Sequence, residues 1–344
     1  MTTNTPRAPR ASTEPLDSIY DVALLDLDGT VYLSGAAIPG AAEALRKADA
    51  AGMRLAYVTN NAFRTPAAIA ALLTGFGVAA EPHDVVTSAQ AAARMLADRL
   101  PAGARVLAIG GAGLRMALRE RGLRPVSTAT DRPQAVAQGY SPDVSYSILA
   151  EGGLAVAAGA LFVASNGDVT LPSRRGRQPG NGSLLRVIAT ATGVQPMVAG
   201  KPEPPLHHES VLRTGAKRPL VVGDRLDTDI EGARRVDADS LLVLTGVTGP
   251  IEVILAPPQQ RPSYLAEDLA GLLEPHPEIT GQDGTGCCGG WTARLDGNGL
   301  ELDGSGERID GLRALCAAAW SGDGVTAESA RSAVQRLRDA VKTA

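Results

Sequence analysis

Aromatic side chains are scarce in this chain: two Trp, six Tyr and three Phe among 344 residues. A ligand held by ring stacking would call for more of them. Cysteines number three, and two adjoin (Cys287, Cys288), which makes a poor disulfide framework and fits a reducing cytoplasm. The four histidines show no metal-ligand spacing, and the His207-His208 pair reads as a cap on the helix that follows Lys201. A formal charge of −4 offers no basic surface for nucleic acid, and no apolar stretch reaches membrane-spanning length. The first fifteen residues are rich in Thr, Pro and Arg without an apolar core, so they read as a disordered tail rather than a signal peptide. With 44% hydrophobic residues, the remainder can bury one large core or two moderate ones, plus a small appendage.

What the chain does carry begins at Asp26-Leu27-Asp28-Gly29-Thr30, directly behind the apolar run Val22-Ala23-Leu24-Leu25. The run suits a buried parallel strand, and Gly29 ends it in a tight turn. A turn after Asp26 can bring both acids to one pocket. In a doubly wound sheet, ligands bind at such carboxyl ends. Leu55-Ala56-Tyr57-Val58-Thr59-Asn60-Asn61 is a second apolar run, released into a hydroxyl and two amides. Gly200-Lys201-Pro202 fixes a lysine between a glycine and a proline. Leu220-Val221-Val222-Gly223-Asp224 opens a cluster of acids that includes Asp227 and Asp229. A strand running into an acidic turn accounts for the first segment alone. It does not account for all four in the order a phosphoryl-transfer site needs.

With these four motifs the chain resembles the haloacid dehalogenase-superfamily phosphatases. The resemblance is to the branch of 4-nitrophenyl phosphatases, phosphoglycolate and glycerol-3-phosphate phosphatases, and nucleotide phosphatases, and it covers roughly residues 17–273. It implies an α/β fold: a doubly wound, mostly parallel Rossmann-like core with an inserted α/β cap. It also implies a magnesium-dependent phosphomonoesterase. Asp26 would be the nucleophile that forms an aspartyl-phosphate, and Asp28 the general acid/base. Magnesium would be held by the Asp26 carboxylate, the Asp28 carbonyl and Asp224, with Asp229 behind them or beside the lysine. Thr59, Asn60 and Lys201 would bind the phosphate. No catalytic position is substituted, which a retired, non-catalytic relative would be expected to show. Asp227 reads as an exposed acid at a helix N-terminus.

Between the second motif and the lysine, strands and helices alternate, as expected of a cap with its own sheet. Helices are expected over 89–100, 114–121, near 153–160 and over 184–192, and strands over 105–109, 144–149 and 161–165. Gly110-Gly111-Ala112-Gly113 lacks the spacing of a nucleotide fingerprint and reads as a plain turn. Asn166 and Asp168, with the basic stretch 173–178 (Arg174, Arg175 and Arg177), are the loops expected to contact substrate, although a solvated basic loop explains the arginines as well. The chain would return to the core at Gly180-Asn181-Gly182-Ser183.

The expected division is a tail over 1–16, core over 17–87 and 181–273, cap over 88–180, linker over 274–290 and a small α/β extension over 291–344. The linker reading rests on the Gly-rich run 281–290, and the extension on a hairpin around Asp296-Gly297-Asn298 followed by helices over 307–320 and 326–341. Arg294-x-x-Gly297-x-Gly299 matches a short pyrophosphate-binding pattern of acetyltransferases. That pattern should open a helix, whereas Leu300-Glu301-Leu302 reads as strand. Too small for a core of its own, the extension should dock, on the rest of the chain or on a second subunit.

The expected partner is a small-molecule phosphate ester, with a homo-oligomer possible and a cytoplasmic location. Glycerol 3-phosphate or phosphoglycolate leads, ahead of nucleotide monophosphates and pyridoxal phosphate, because only Tyr140 and Tyr146 lie near the cap loops. A regulatory module that binds a phosphate metabolite is the other class, but sensing needs no general acid at Asp28.

Overall fold

A computed structural model describes residues 8–171, 173, 175–297 and 299–343. Arg174 and the first seven residues of the expected tail lie outside the described residues. The chain forms two compact units, Met1–Leu55 with Ala216–Ala344, and Ala56–Gly215. The architecture is α/β with parallel sheets, and a small antiparallel sheet near the C-terminus.

In the first unit the strands Tyr264–Ala266, Asp239–Val243, Pro219–Gly223 and Val22–Leu25 lie side by side, all parallel. Val22–Leu25 is buried throughout, as an all-apolar run covered on both faces must be. Its register pairs Leu25 with Val222, so Asp26 and Asp224 leave adjacent carboxyl ends.

The C-terminal extension is part of this unit. The strands Thr285–Cys288, Trp291–Asp296 and Gly299–Gly304 form an antiparallel sheet, covered by the helices Arg308–Ser321 and Ala327–Thr343. Trp291, Leu312, Leu315, Trp320 and Leu337 share one apolar cluster with Leu226, Ile230, Leu242, Val253, Ile254 and Leu265. The indole of Trp320 donates to the Val253 carbonyl (3.2 Å), and Arg313 donates to the Leu265 carbonyl (2.7 Å). The extension therefore completes a core that residues 226–265 begin. The Arg294–Gly299 pattern falls on a hairpin, with Gly299–Gly304 as strand, and opens no helix.

In the second unit, Tyr57, Val58 and Thr59 at the end of the strand Arg54–Thr59 pair in parallel with Val85–Thr87. A separate all-parallel sheet has the order Met197–Val198, Leu161–Ala164, Ala135–Gln138, Arg105–Ile109, Arg124–Val126. The helices Tyr146–Ala157 and Asn181–Thr192 pack on it, with Gly152 so close to Ile109 and Ile188 that a Cβ would overlap both. Glu209, fully buried, accepts from Arg121 and Arg213 (2.7 Å each) and from Arg94, tying three helices together. Burial works against this carboxylate, but the Arg213 and Arg94 hydrogen bonds prevail and hold it below its usual range.

Several expectations are corrected. Residues 8–16 are fixed rather than disordered: the Arg10 amide donates to the Ser263 carbonyl (2.7 Å), Ser12 bridges to His276, and Leu16 is fully buried. The strand expected over 144–149 is the start of Tyr146–Ala157, because Ser145 accepts from the Ile148 amide and caps a helix there. Its place in the sheet belongs to Ala135–Gln138, a short buried run of small residues. The expected linker contains the strand Thr285–Cys288, and Gly286 lies against the Ala314 carbonyl where any side chain would collide. Its glycine is a packing requirement there rather than a sign of slack. The second sheet extends to Met197–Val198, beyond the expected return at 180. His207 and His208 sit inside Pro204–Thr214 and do not cap it.

Candidate active site

Asp26, Asp224 and Asp229 converge in the first unit, with one carboxylate oxygen of each within 4.8 Å of the others. Asp224 and Asp229 are buried. Each acid follows from its strand. The Asp26 amide extends the ladder by donating to the Val222 carbonyl (2.8 Å), and the chain then turns, with Gly29 donating to the Tyr32 carbonyl (2.8 Å). Gly29 has φ +88°, a backbone state that favours glycine, and any Cβ there would overlap the Asp224 carboxylate. Gly246 crowds the same carboxylate, and Gly223 crowds that of Asp229.

Main-chain donors fix both acids. The Val247 amide donates to Asp224 Oδ2 (2.6 Å), and the Arg225 amide donates to Asp229 Oδ2 (3.1 Å). Asp28 is exposed, and the Tyr32 hydroxyl donates to its Oδ2 (3.3 Å). Asp227 is exposed and paired with Arg225 (2.8 Å). Asp229 is thus brought into the acid cluster itself.

This donor set fits a hard divalent cation. It offers only carboxylate oxygens, one from each acid and all within 4.8 Å of one another, and such hard oxygen ligands are what magnesium prefers. Three carboxylates at this range repel one another strongly unless a cation or protons intervene.

The other expected residues lie in the second unit. Thr59 is buried at the end of Arg54–Thr59, where its hydroxyl accepts from the Asn61 amide (3.1 Å). Lys201 is buried, and its Nζ donates to the Val58 carbonyl (3.1 Å). Burial first, then the Lys201 charge, pushes His207 down to about 3, so that imidazole stays neutral. The side-chain amide of Asn60 is engaged within the unit, with the Lys201 main chain and with Asp168. Asn166 turns inward, donating to the Asn60 carbonyl (2.8 Å). Asn60, Asp168 and Asn166 therefore form one connected group around Lys201.

Sequence reasoning missed Tyr32 and the Gly246-Val247 turn. The second had a signal: the apolar run Leu241–Leu244 releases into Thr245-Gly246, as the other site strands release into polar residues.

Comparisons with known proteins bear on the family of the chain. A family described as haloacid dehalogenase-like hydrolase matches residues 23–124, and a second of the same kind (HAD-hydrolase-like) matches 198–272. A GCN5-related N-acetyltransferase-like domain family matches 288–340. A D-glycerol 3-phosphate phosphatase of Mycobacterium tuberculosis is 44% identical over 313 residues, which is 88% of this chain and 86% of that protein. An acid sugar phosphatase of Staphylococcus saprophyticus is 38% identical over 257 residues, 74% of this chain and 97% of that protein. The solved glycerol phosphate phosphatase of M. tuberculosis in complex with magnesium superimposes with a TM-score of 0.85 at 40% identity, covering 94% of this chain and 99% of that one. With these motifs, and with relatives matched over most of its length, the chain belongs to the haloacid dehalogenase-like hydrolases.

Proposed function

We propose that this protein is a magnesium-dependent phosphomonoesterase that hydrolyses glycerol 3-phosphate in the cytoplasm. The observation that carries the reading is the glycine-walled cluster of Asp26, Asp224 and Asp229, at the strand ends where the motifs begin. The substrate rests on similarity to a D-glycerol 3-phosphate phosphatase over 88% of the chain. The scarcity of aromatics argues against a leaving group held by stacking. Among the described residues no helix is long and apolar enough to cross a membrane, and Cys287, Cys288 and Cys316 are free thiols.

In this reaction the Asp26 carboxylate attacks phosphorus and the ester P–O bond breaks, leaving an aspartyl-phosphate. Asp28, steadied by Tyr32, gives its proton to the departing alkoxide. It then takes a proton from the water that attacks phosphorus and regenerates Asp26. Asp26, Asp224 and the Asp28 carbonyl, with Asp229 beside them, would hold magnesium, which when bound would neutralise charge on the phosphoryl oxygens. Thr59, Lys201 and the main-chain amide of Asn60 hold those oxygens.

A substrate panel tests the assignment. Glycerol 3-phosphate should exceed phosphoglycolate, pyridoxal phosphate and nucleotide monophosphates in kcat/KM; preference for a nucleotide would replace it. Asp28→Asn should cost about 100-fold or more with glycerol 3-phosphate, within the usual range for general acid–base catalysis, and clearly less with 4-nitrophenyl phosphate. The reason is that 4-nitrophenolate departs with little protonation. Equal losses would contradict the acid role.

Metal removal gives a separate check. Excess chelator should silence the enzyme, and magnesium should restore it. Calcium should inhibit, because its looser and higher coordination misplaces the Asp26 oxygen. Full turnover in chelator would remove the metal from the mechanism.

A further inference from the structure

We infer that Asp168 is a positioning residue for Lys201, acting through the side-chain amide of Asn60. The inference rests on the phosphatase reading for its kinetic consequence, but its geometry is independent of it. The Lys201 amide donates to Asn60 Oδ1 (2.8 Å), and Asn60 Nδ2 donates back to the Lys201 carbonyl (3.1 Å). One planar group thus holds the main chain of the lysine loop at two points. There is no slack around this pairing. A Cβ on the preceding Gly200 would overlap Asn60 Oδ1 and the Ser165 carbonyl.

An amide can make this two-point pairing in only one of its two flips. Asp168 selects it. Asn60 Nδ2 also donates to the Asp168 carboxylate, at 3.2 Å to Oδ2. A reversed amide would set its oxygen against that carboxylate and against the Lys201 carbonyl, three acceptors with no proton between them. The bond to an ionised acceptor is the stronger kind, so the preference is large.

Asp168 is itself held in place. Its amide donates to Asn166 Oδ1 (3.2 Å), and its carbonyl accepts from the Gly182 amide (2.9 Å). Asn181 Nδ2 donates to the Asn166 carbonyl (2.8 Å). Gly180 and Gly182 lie so near the carbonyls of Gly167 and Asp168 that neither could carry a side chain. The start of the Asn181–Thr192 helix therefore fixes the Asp168 loop, which fixes Asn60, which fixes Lys201. A carboxylate in direct contact with a phosphate dianion would repel it, whereas here the charge serves to orient an amide.

The test uses the full chain with Asp168→Ala, Asp168→Asn, Lys201→Ala and the double variant Asp168→Ala/Lys201→Ala. On 4-nitrophenyl phosphate, Asp168→Ala should lower kcat/KM by about 10–100-fold, the scale of loss when a binding group is misplaced by about 1 Å. The inhibition constant of inorganic phosphate should rise with it. Asp168→Asn keeps an acceptor oxygen and should recover most of the loss. The double variant should be no worse than Lys201→Ala, because both changes act through one group. Additive losses, or an Asp168→Ala enzyme equal to the parent, would overturn the inference.

Amide hydrogen exchange separates this from the phosphatase reading. Asp168→Ala should speed exchange at the Lys201 amide by about 10-fold or more while Asp168→Asn leaves it slow, whatever the enzyme hydrolyses. An unchanged Lys201 amide in Asp168→Ala refutes the linkage. A parent protein without phosphatase activity refutes only the function.

Discussion

Replacing Asp26 by Asn should lower turnover of every phosphate ester by about 10⁴-fold or more, the scale of losing a covalent nucleophile. The fold should survive, because amide and carboxylate have nearly the same shape and the main-chain bond from Asp26 to Val222 is untouched. What disappears is the anionic oxygen that forms the bond to phosphorus, together with one of the three carboxylates of the metal cluster. Magnesium affinity should therefore fall as well. The measurement is phosphate release under saturating magnesium, alongside circular dichroism and a thermal melt. A variant that keeps more than about a hundredth of the parent rate with a normal melt would remove Asp26 from the nucleophile role.

A chain ending at Leu273 should fail to fold. It retains every residue assigned to chemistry, which on sequence grounds alone suggests an active truncation. The shared core says otherwise. Six large aliphatic side chains (Leu226, Ile230, Leu242, Val253, Ile254 and Leu265) would lose their cover. Full burial of each is worth about 1.5–3 kcal/mol, and a whole domain is stable by only about 5–15 kcal/mol. Even partial uncovering consumes that margin. We expect the truncated chain in the insoluble fraction. As a milder companion, Trp320→Ala in the full chain should cost about 3–5 kcal/mol in urea unfolding, with activity per folded molecule retained. A soluble, cooperatively melting, active truncation would show that the extension is dispensable.

Much of the site was legible because its logic is local. A buried parallel strand needs an unbroken apolar run, so the first polar residue after it falls at the carboxyl end of the sheet. Asp26, Thr59 and Asp224 could be placed from that rule alone. The expectation for Asn60 was less complete, because its partners at Lys201 and Asp168 lie 141 and 108 positions away. Nothing in its neighbourhood announces that its amide is engaged there. The sequence places Asp229 behind the metal or beside the lysine, and the backbone after Arg225 brings its carboxylate within 4.8 Å of those of Asp26 and Asp224. The strand Ala135–Gln138 escaped notice because two small alanines and a terminal glutamine carry little β signal. Glycine misled in the extension. Its abundance over 281–290 suggested slack, whereas Gly286 is where a strand meets the Arg308–Ser321 helix.

The shared core also bears on how the protein is made. Translation delivers Asp26, Lys201 and Asp224 long before Trp320 and Leu337, which close the cluster around Leu242 and Leu265. While the last helices are still inside the ribosome, the sheet that carries the acids has one flank bare. Domains generally fold as units once their sequence has emerged. Here the unit is complete only once the helices Arg308–Ser321 and Ala327–Thr343 have emerged, so ribosome-stalled chains lacking those two helices should be inactive and prone to capture by chaperones.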